Sequence, residues 1–385
     1  MLAIINGDVY TMTGPVLKGG RVLIDGERII AVGGLDIPVP SEAKVIDARG
    51  KVVIPGLIDA HCHLGLMEEI YQTAGDDLNE ASDPVTPHLR AIDGVNPADL
   101  AFKDAVRAGI TTVYTGPGSG NVIGGLGLVM HTWGTVVDKM VLRQPAGLKV
   151  AFGENPKMVY ADQKKMPMTR MANAALLREN FVAAQDYLEK RATGQVARNL
   201  KLEALGLVLQ GKIPLRAHVH RADDIMTALR IADEFSVDIV LEHCTEGHLI
   251  ADELACKNIQ AVVGPSLITR EKVELKERTF KTAGILASRG IRVALMTDHP
   301  ATPIQYLPLC AALAVKDGMR EEDALKALTV NPAIILGLEK EIGSLAAGKL
   351  ADIVIYNKPI FQLEAVAEKV LIKGQVVYEI ECSVG

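Results

Sequence analysis

Alternating apolar and polar positions characterise both ends of the chain. Over residues 1–51 the alternating runs are short, and they are separated by Asn-Gly, Asp-Gly and Arg-Gly pairs that are typical of hairpin turns. The segment 352–380 repeats this pattern around a Lys-Gly turn. Because neither end has enough strands to enclose a core alone, the pattern predicts one small β-sandwich built from residues 1–53 together with residues 345–385.

Between these ends, apolar runs alternate with amphipathic stretches. Near-continuous apolar strands joined by helices indicate a parallel sheet that is covered on both faces. The number of repeats favours an α/β fold in which residues 54–344 form a (β/α)8 TIM-like barrel. An open doubly wound sheet is the alternative, although the chain lacks the glycine-rich nucleotide turn that often marks one. The predicted strands are residues 110–116, 148–154, 213–220, 238–244, 259–265 and 291–298.

Composition and charge narrow the range of functions. Hydrophobic residues make up 49% of the 385 residues and charged residues 23%, which is usual for a globular protein with a large core. The formal charge of −6 includes no basic blocks, which argues against nucleic acid as a partner. The chain has no signal-peptide pattern and no apolar run of ~18 residues, so no membrane partner is expected. Five scattered cysteines without a C-x-x-C pair indicate reduced thiols and a cytoplasmic protein.

Candidate chemistry begins with the histidine pair that ends the run VVIPGLIDAHCH. In an extended strand, side chains alternate between faces, so His61 and His63 point to the same side. Two imidazoles roughly 6–7 Å apart on one strand face can both reach a single divalent ion. An isolated H-x-H pair is weak evidence, so the remaining ligands have to come from elsewhere in the chain.

Other potential ligands stand at the ends of the other predicted strands. A barrel gathers all of its strand ends around one mouth, which makes coincidence a poor explanation for the whole set. Imidazoles and carboxylates around an open position are what a catalytic Zn²⁺-type ion requires. The residues that end predicted strands in this way are His61, His63, Glu154, His218, His220, His243 and Asp298.

These motifs carry a family resemblance. PGLIDAHCH at 55–63, the strand-five His218, LEHCTEGH with His243 and MTDHP with Asp298 occur in an order that resembles the metal-dependent amidohydrolase superfamily, and within it the relatives of imidazolonepropionase. The resemblance implies the barrel, the split β-sandwich, and hydrolysis of a carbon–nitrogen bond in a small amide, cyclic amide or dipeptide-like substrate. The alternatives are a deaminase of a nitrogen heterocycle and a non-catalytic scaffold relative.

The resemblance also assigns roles to individual residues. It implies that His61, His63 and Asp298 hold the more buried ion, that His218 and His243 hold a second one, and that Asp298 is the general base. Many two-metal relatives bridge the ions with a carboxylated lysine that ends strand four. Here Glu154 stands at the predicted strand end and is the expected bridge, with Lys149 and Lys157 as rivals. The number of divalent ions, expected to be Zn²⁺, is therefore one or two.

Four further residues are candidates for substrate contact. His220 shares a strand face with His218 and is expected to touch substrate or stabilise developing charge. Arg221 stands where related deaminases carry a glutamate, which weakens the deaminase alternative. The glycine-rich stretch 119–134 predicts a tight turn or a substrate-contacting loop, with Asn121 and His131 as contacts, although core packing is an equal alternative for His131.

The connection between the predicted strands 148–154 and 213–220 is about sixty residues long. Within it, residues 158–170 are expected to form a lid or a contact between subunits. A homo-oligomer acting on a small molecule is therefore expected.

Overall fold

Two eight-stranded sheets organise the chain, for which a computed structural model describes residues 1–70, 73–194 and 196–380. The first sheet takes strands from both ends of the chain, and these ends meet where Val52–Pro55 pairs antiparallel with Ile353–Tyr356. Its strands are β1 Leu2–Val9, β2 Leu17–Asp25, β3 Arg28–Gly33, β4 Lys44–Asp47, β5 Val52–Pro55, β14 Ile353–Tyr356, β15 Ala367–Ile372 and β16 Gln375–Glu379.

The strand order in this first sheet is β16-β15-β14-β5-β1-β2-β3, with β4 paired to β1. Both termini therefore contribute to one sheet. The two-layer sandwich and the domain boundaries at 53/54 and 344/345 remain predictions, and residues 381–385 lie outside the described part of the chain.

The second sheet forms a nearly closed TIM-like barrel, as the alternation of strands and helices predicts. Its strands follow one another in chain order, and backbone hydrogen bonds connect the first strand region to the last: Asp298 N donates to His61 O at 3.2 Å, and His63 N donates to His299 O at 2.9 Å. The strands are β6 Leu57–Cys62, β7 Ile110–Thr115, β8 Ile123–His131, β9 Val141–Ala151, β10 Leu215–Val219, β11 Ile239–His243, β12 Gln260–Val263 and β13 Arg292–Leu295.

One strand of the barrel departs from the expected parallel arrangement. Strand β8 runs antiparallel to both of its neighbours, β7 and β9, so residues 123–131 form a strand where a turn or loop was predicted, whereas residues 119–122 lie in the loop before it. The glycines of β8 allow this strand to pack closely against neighbouring side chains. A Cβ on Gly127 would lie 2.2 Å from the hydroxyl oxygen of Tyr114, so only glycine lets β8 approach β7 this closely.

Helices cover the outside of the barrel. The amphipathic pattern is clearest in Ala222–Phe235, which buries Ile225, Ala228, Leu229 and Ala232 at helical spacing. The helices are α1 Ala101–Arg107, α2 Val137–Met140, α3 Glu154–Ala161, α4 Arg170–Ala192, α5 Leu200–Leu209, α6 Ala222–Phe235, α7 Ala251–Ala255, α8 Lys281–Ser288, α9 Leu307–Lys316, α10 Glu321–Leu328 and α11 Val330–Ile335. Among the described residues, none of these helices combines the length and the apolar character needed to cross a lipid bilayer.

Candidate metal centre

The first group of potential ligands joins the end of β6 to the loop that follows β13. His61 Nε2 and His63 Nε2 lie 3.1 and 3.2 Å from the same oxygen, Oδ1 of Asp298. The period of two along β6 places both imidazoles on one face, as predicted from the sequence. Ligand atoms at this separation can surround one ion, because metal–nitrogen and metal–oxygen bonds are about 2.0–2.2 Å long.

The Nδ1 atoms of both histidines in this group each face an oxygen atom of another residue. His63 Nδ1 lies 2.7 Å from the carbonyl oxygen of Gly116, and because a carbonyl only accepts, Nδ1 carries the proton. His61 Nδ1 lies 3.0 Å from the Glu242 carboxylate, which favours the same tautomer. Both Nε2 atoms are thereby left with a lone pair towards Asp298, which is the orientation that metal-ligating histidines usually show.

The Asp298 carboxylate is held in its ionised form. Burial alone would raise its pKa, but the surrounding imidazoles of His243, His61 and His63 hold the pKa of Asp298 well below its usual range. Its backbone has a φ of +54°, a left-handed conformation that is uncommon outside glycine and is often found at functional sites.

A second group of potential ligands comes from β10 and β11. One nitrogen from each of His218, His220 and His243 lies within 4.8 Å of the other two. His243 Nδ1 donates to the Gly264 carbonyl oxygen at 3.0 Å, and His220 Nδ1 lies 2.8 Å from Thr245 Oγ1. His220 Nε2 is buried and has no hydrogen-bond partner among the described residues. A buried polar nitrogen without a partner is costly, so a ligand in this space would satisfy it.

Burial keeps these three imidazoles neutral. It lowers the pKa of His218 and of His220 well below the usual value, and the neighbouring His243 adds to the effect. Burial also lowers the pKa of His243 to about 3. Neutral imidazole is the form that binds a metal ion, so this second group fits a divalent ion by donor type and by protonation, and the first group fits one by donor type.

Lys149 connects the two groups. Its side chain is 1% exposed, and Nζ lies 3.3 Å from His61 Nε2 and 2.6 Å from Glu242 Oε2. Its positive charge lowers the pKa values of His218 and His243, which belong to the other group. A lysine in this position is close enough to both groups to act on each of them.

Glu154, the expected bridge, does not reach either group. Strand β9 ends at Ala151, and the chain turns at Gly153, whose φ is +79°, so Glu154 becomes the first residue of α3. Its backbone N–H donates to Glu274 Oε2 at 3.1 Å, and its side chain does not line the cavity. Lys157, the other rival, also lies in α3. The geometry therefore corrects the choice among the candidate bridges in favour of Lys149.

Two of the expected substrate contacts are structural. The Asn121 side chain is fully bonded: Nδ2 donates to Glu80 O and Thr86 Oγ1, and Oδ1 accepts from the Tyr160 hydroxyl. His131 Nε2 lies 2.9 Å from Asp352 Oδ2, and both side chains are buried. Neither side chain lines the cavity: Asn121 lies in the loop before β8, and His131, at the end of β8, shows the core-packing alternative.

Arg221 also lies away from the cavity. Its guanidinium donates to both carboxylate oxygens of Asp223, at 2.9 and 2.8 Å, at the start of α6. Arg221 is therefore not among the residues that line the cavity, and its expected contact with substrate stays a prediction.

Both groups open into one cavity of about 610 Å³ at the barrel mouth. A larger cavity of about 790 Å³ lies between residues 10–16 and α10, but no histidine lines it. The potential metal ligands, rather than the volume of the cavity, therefore identify the site. Ser119, from the predicted glycine-rich stretch, lines this mouth, as do Asn155 and Lys272, which the sequence did not single out.

Comparisons with known proteins agree with this geometry. The family model described as "Amidohydrolase family" matches residues 146–377. A crystal structure of an amidohydrolase from Thermotoga maritima MSB8 superimposes with a TM-score of 0.96 and 43% sequence identity, covering 99% of this chain and 100% of that one.

Two curated relatives are more distant in sequence. The amidohydrolase tasK of Hapsidospora irregularis is 28% identical over 89% of this chain, which spans only 38% of that longer protein. The imidazolonepropionase of Symbiobacterium thermophilum is 26% identical over 93% of this chain and 91% of its own length.

The barrel and the ligand groups at its mouth define an enzyme of the hydrolase class. The chain belongs to the amidohydrolase family. It is an enzyme that hydrolyses carbon–nitrogen bonds.

Proposed function

We propose that this enzyme cleaves the amide bond of a small amide, cyclic amide or dipeptide-like substrate at a centre that holds one or two Zn²⁺ ions. The observation that carries the proposal is the convergence of His61, His63 and Asp298 within about 3 Å, beside a second group of three neutral imidazoles. Nitrogen-rich donor sets with an open side are typical of catalytic zinc. The 610 Å³ cavity has the size of a small-molecule site.

The proposed roles follow from these contacts. His61, His63 and Asp298 would hold one ion, and His218 and His243 would hold the other, with His220 as the third nitrogen of that set. A divalent ion in such a place supplies Lewis acidity and lowers the pKa of water. The ionised Asp298 carboxylate accepts a proton from the attacking water and passes it to the leaving nitrogen. His220 Nε2, which has no hydrogen-bond partner among the described residues, can donate to the substrate carbonyl oxygen in the neutral tautomer with its proton on Nε2, or bind the second ion in the tautomer with its proton on Nδ1.

Two observations count against the alternatives. The position at which related deaminases carry a glutamate is occupied by Arg221, whose guanidinium is bonded to Asp223 outside the cavity. A non-catalytic scaffold would not need a complete donor set, yet both ligand groups are intact and converge.

Removing the histidine pair should abolish both metal binding and turnover. In the His61→Ala/His63→Ala variant we expect at least one ion per subunit to be lost, because two of the three ligands of the first group disappear. Elemental analysis of purified protein gives the metal-to-protein ratio, and a panel of N-acyl amino acids, dipeptides and lactams gives turnover. His88→Ala, which changes a histidine outside both groups, is the control. Full metal occupancy in the double variant would contradict the ligand assignment.

A second experiment addresses the bridge. We propose that Lys149, rather than Glu154, is the lysine that becomes carboxylated, its neutral amine adding CO₂ and releasing a proton. Lys149→Met should then lower the metal-to-protein ratio by about one, whereas Glu154→Gln should leave it unchanged. Signal from ¹³C-labelled bicarbonate in the wild type, absent from Lys149→Met, should show the carbamate. Loss of an ion in Glu154→Gln with a normal ratio in Lys149→Met would reverse the assignment.

A further inference from the structure

Lys272 is a cation at the mouth of the active-site cavity that the proposed chemistry does not use. It lies in the loop between β12 and α8, and among the described residues that line the cavity only Lys149 and Lys272 carry a cationic side chain other than imidazole. Lys149 is buried against Glu242, whereas the Lys272 side chain is 21% exposed. Lys272 is therefore the cation that an incoming substrate can reach.

Neighbouring side chains hold Lys272 in place. Its ammonium donates to Asn155 Oδ1 at 2.8 Å and lies 3.4 Å from Glu274 Oε1. Glu274 is itself fixed, because it is 1% exposed and its Oε2 accepts from the backbone N–H of Glu154. An ammonium has three donors, and these two neighbours leave one for a ligand. An ordered cation of this kind loses less conformational entropy when it binds an anion than a free surface lysine would.

The same contacts set the distance from Lys272 to the candidate metal centre. Asn155, which accepts from Lys272, places its Nδ2 3.4 Å from His218 Nε2 and donates to Ser119 Oγ at 2.7 Å. One amide side chain thus separates the ammonium from a proposed metal ligand. A substrate whose scissile bond lies at the metal centre would bring a group one or two bonds away to Lys272.

The rest of the cavity wall is largely apolar. Met67, Met158, Ile268 and Leu275 line it, and they offer contacts to an aliphatic side chain rather than further polar partners. Glu271 also lines the cavity, but it is exposed on the loop, where water weakens its repulsion of an anion.

We propose that Lys272 forms a carboxylate-binding subsite, so that the substrate carries a carboxylate next to the scissile carbon–nitrogen bond and an apolar side chain against the cavity wall. N-acylated apolar amino acids and dipeptides with a free terminal carboxylate have this chemistry. The inference rests on the proposed function, since it specifies the substrate class of the same site.

The test compares a charged probe with its neutral twin. N-acetyl-L-leucine and N-acetyl-L-leucinamide share one acetyl–nitrogen bond and differ in the carboxylate. Acetate release gives kcat and KM on the metal-loaded enzyme, and calorimetry gives the affinity for each probe. Lys272→Met should lower the affinity and kcat/KM for the acid about 10- to 100-fold, mainly through KM, because a charge-assisted hydrogen bond is lost. Values for the amide should change less than about threefold, and Lys272→Arg should retain part of the preference.

Lys276→Met is the matched control, since Lys276 is exposed on the same loop and does not line the cavity. It should behave like the wild type with both probes. If the wild type hydrolyses neither probe, nor any amide in the wider panel, the proposed function fails, and the calorimetric affinities still decide the subsite. Equal losses for acid and amide in Lys272→Met, or a wild type that does not prefer the acid in binding, would overturn the inference.

Discussion

Asp298→Asn should lower kcat by about 10²- to 10⁴-fold, the usual cost of removing a general base, while KM changes little. The carboxylate oxygen that contacts both His61 and His63 is the group proposed to accept the proton from water. The surrounding imidazoles hold its pKa well below the usual range, so it is ionised and able to accept a proton at neutral pH. An asparagine at this position keeps the shape of the side chain but cannot accept that proton.

Loss of the ion has to be separated from loss of the base. Metal content should therefore be measured on the same preparations, and turnover should be expressed per bound ion after reloading with Zn²⁺. Asp252→Asn changes an exposed aspartate paired with Arg289 and should keep wild-type turnover. A folded, metal-replete Asp298→Asn enzyme with near-normal kcat would show that Asp298 is only a structural residue at the end of the barrel strand.

The ligand residues could be predicted from the sequence because local periodicity and barrel topology are enough to place them. Alternation along a strand puts His61 and His63 on one face, and the barrel brings His218, His243 and Asp298 to the same mouth. The structure brings these five residues together, and their roles at a metal centre remain proposals.

The residue that bridges the two proposed metal ions could not be predicted, because its identity depends on where strand β9 ends. The apolar run 148–154 suggested that Glu154 ends strand four, but β9 stops at Ala151 and the chain turns at Gly153. A signal was nevertheless present in the sequence. Lys149 stands between apolar neighbours in a buried strand, and a lysine is seldom fully buried unless it is paired.

Asn121 and His131 lie away from the cavity for a different reason. Five glycines within residues 119–134 resemble a loop, and glycine is depleted in strands generally. In the structure a strand forms there, and Gly127 leaves room for the Tyr114 side chain of the neighbouring strand. Lys272 was missed because it approaches the site through a long loop, whose path is not encoded in any local pattern.

Three charged residues in neighbouring apolar strands give the second large effect. Lys149 in β9, Arg216 in β10 and Glu242 in β11 are all essentially inaccessible to solvent. Glu242 accepts from Lys149 Nζ at 2.6 Å and from Arg216 Nε at 2.7 Å, and it lies 3.0 Å from His61 Nδ1. Burial alone would raise the pKa of Glu242, but His61 and the positive charges of Lys149 and Arg216 hold it well below the usual range. One buried carboxylate thus balances the cations beneath the candidate metal centre.

Glu242→Gln should therefore destabilise the metal-free protein by about 3–5 kcal/mol, because it leaves Lys149 and Arg216 buried without a counter-charge. For a chain of 385 residues this corresponds to a fall in Tm of roughly 4–6 °C. Thermal unfolding at one fixed scan rate, after removal of metal with a chelator, measures the effect without a contribution from lost ions. Glu322→Gln makes the same change in a solvent-exposed pair with Lys326 and should shift Tm by less than about 1 °C. Equal shifts in the two variants would mean that Glu242 does not neutralise the buried cations.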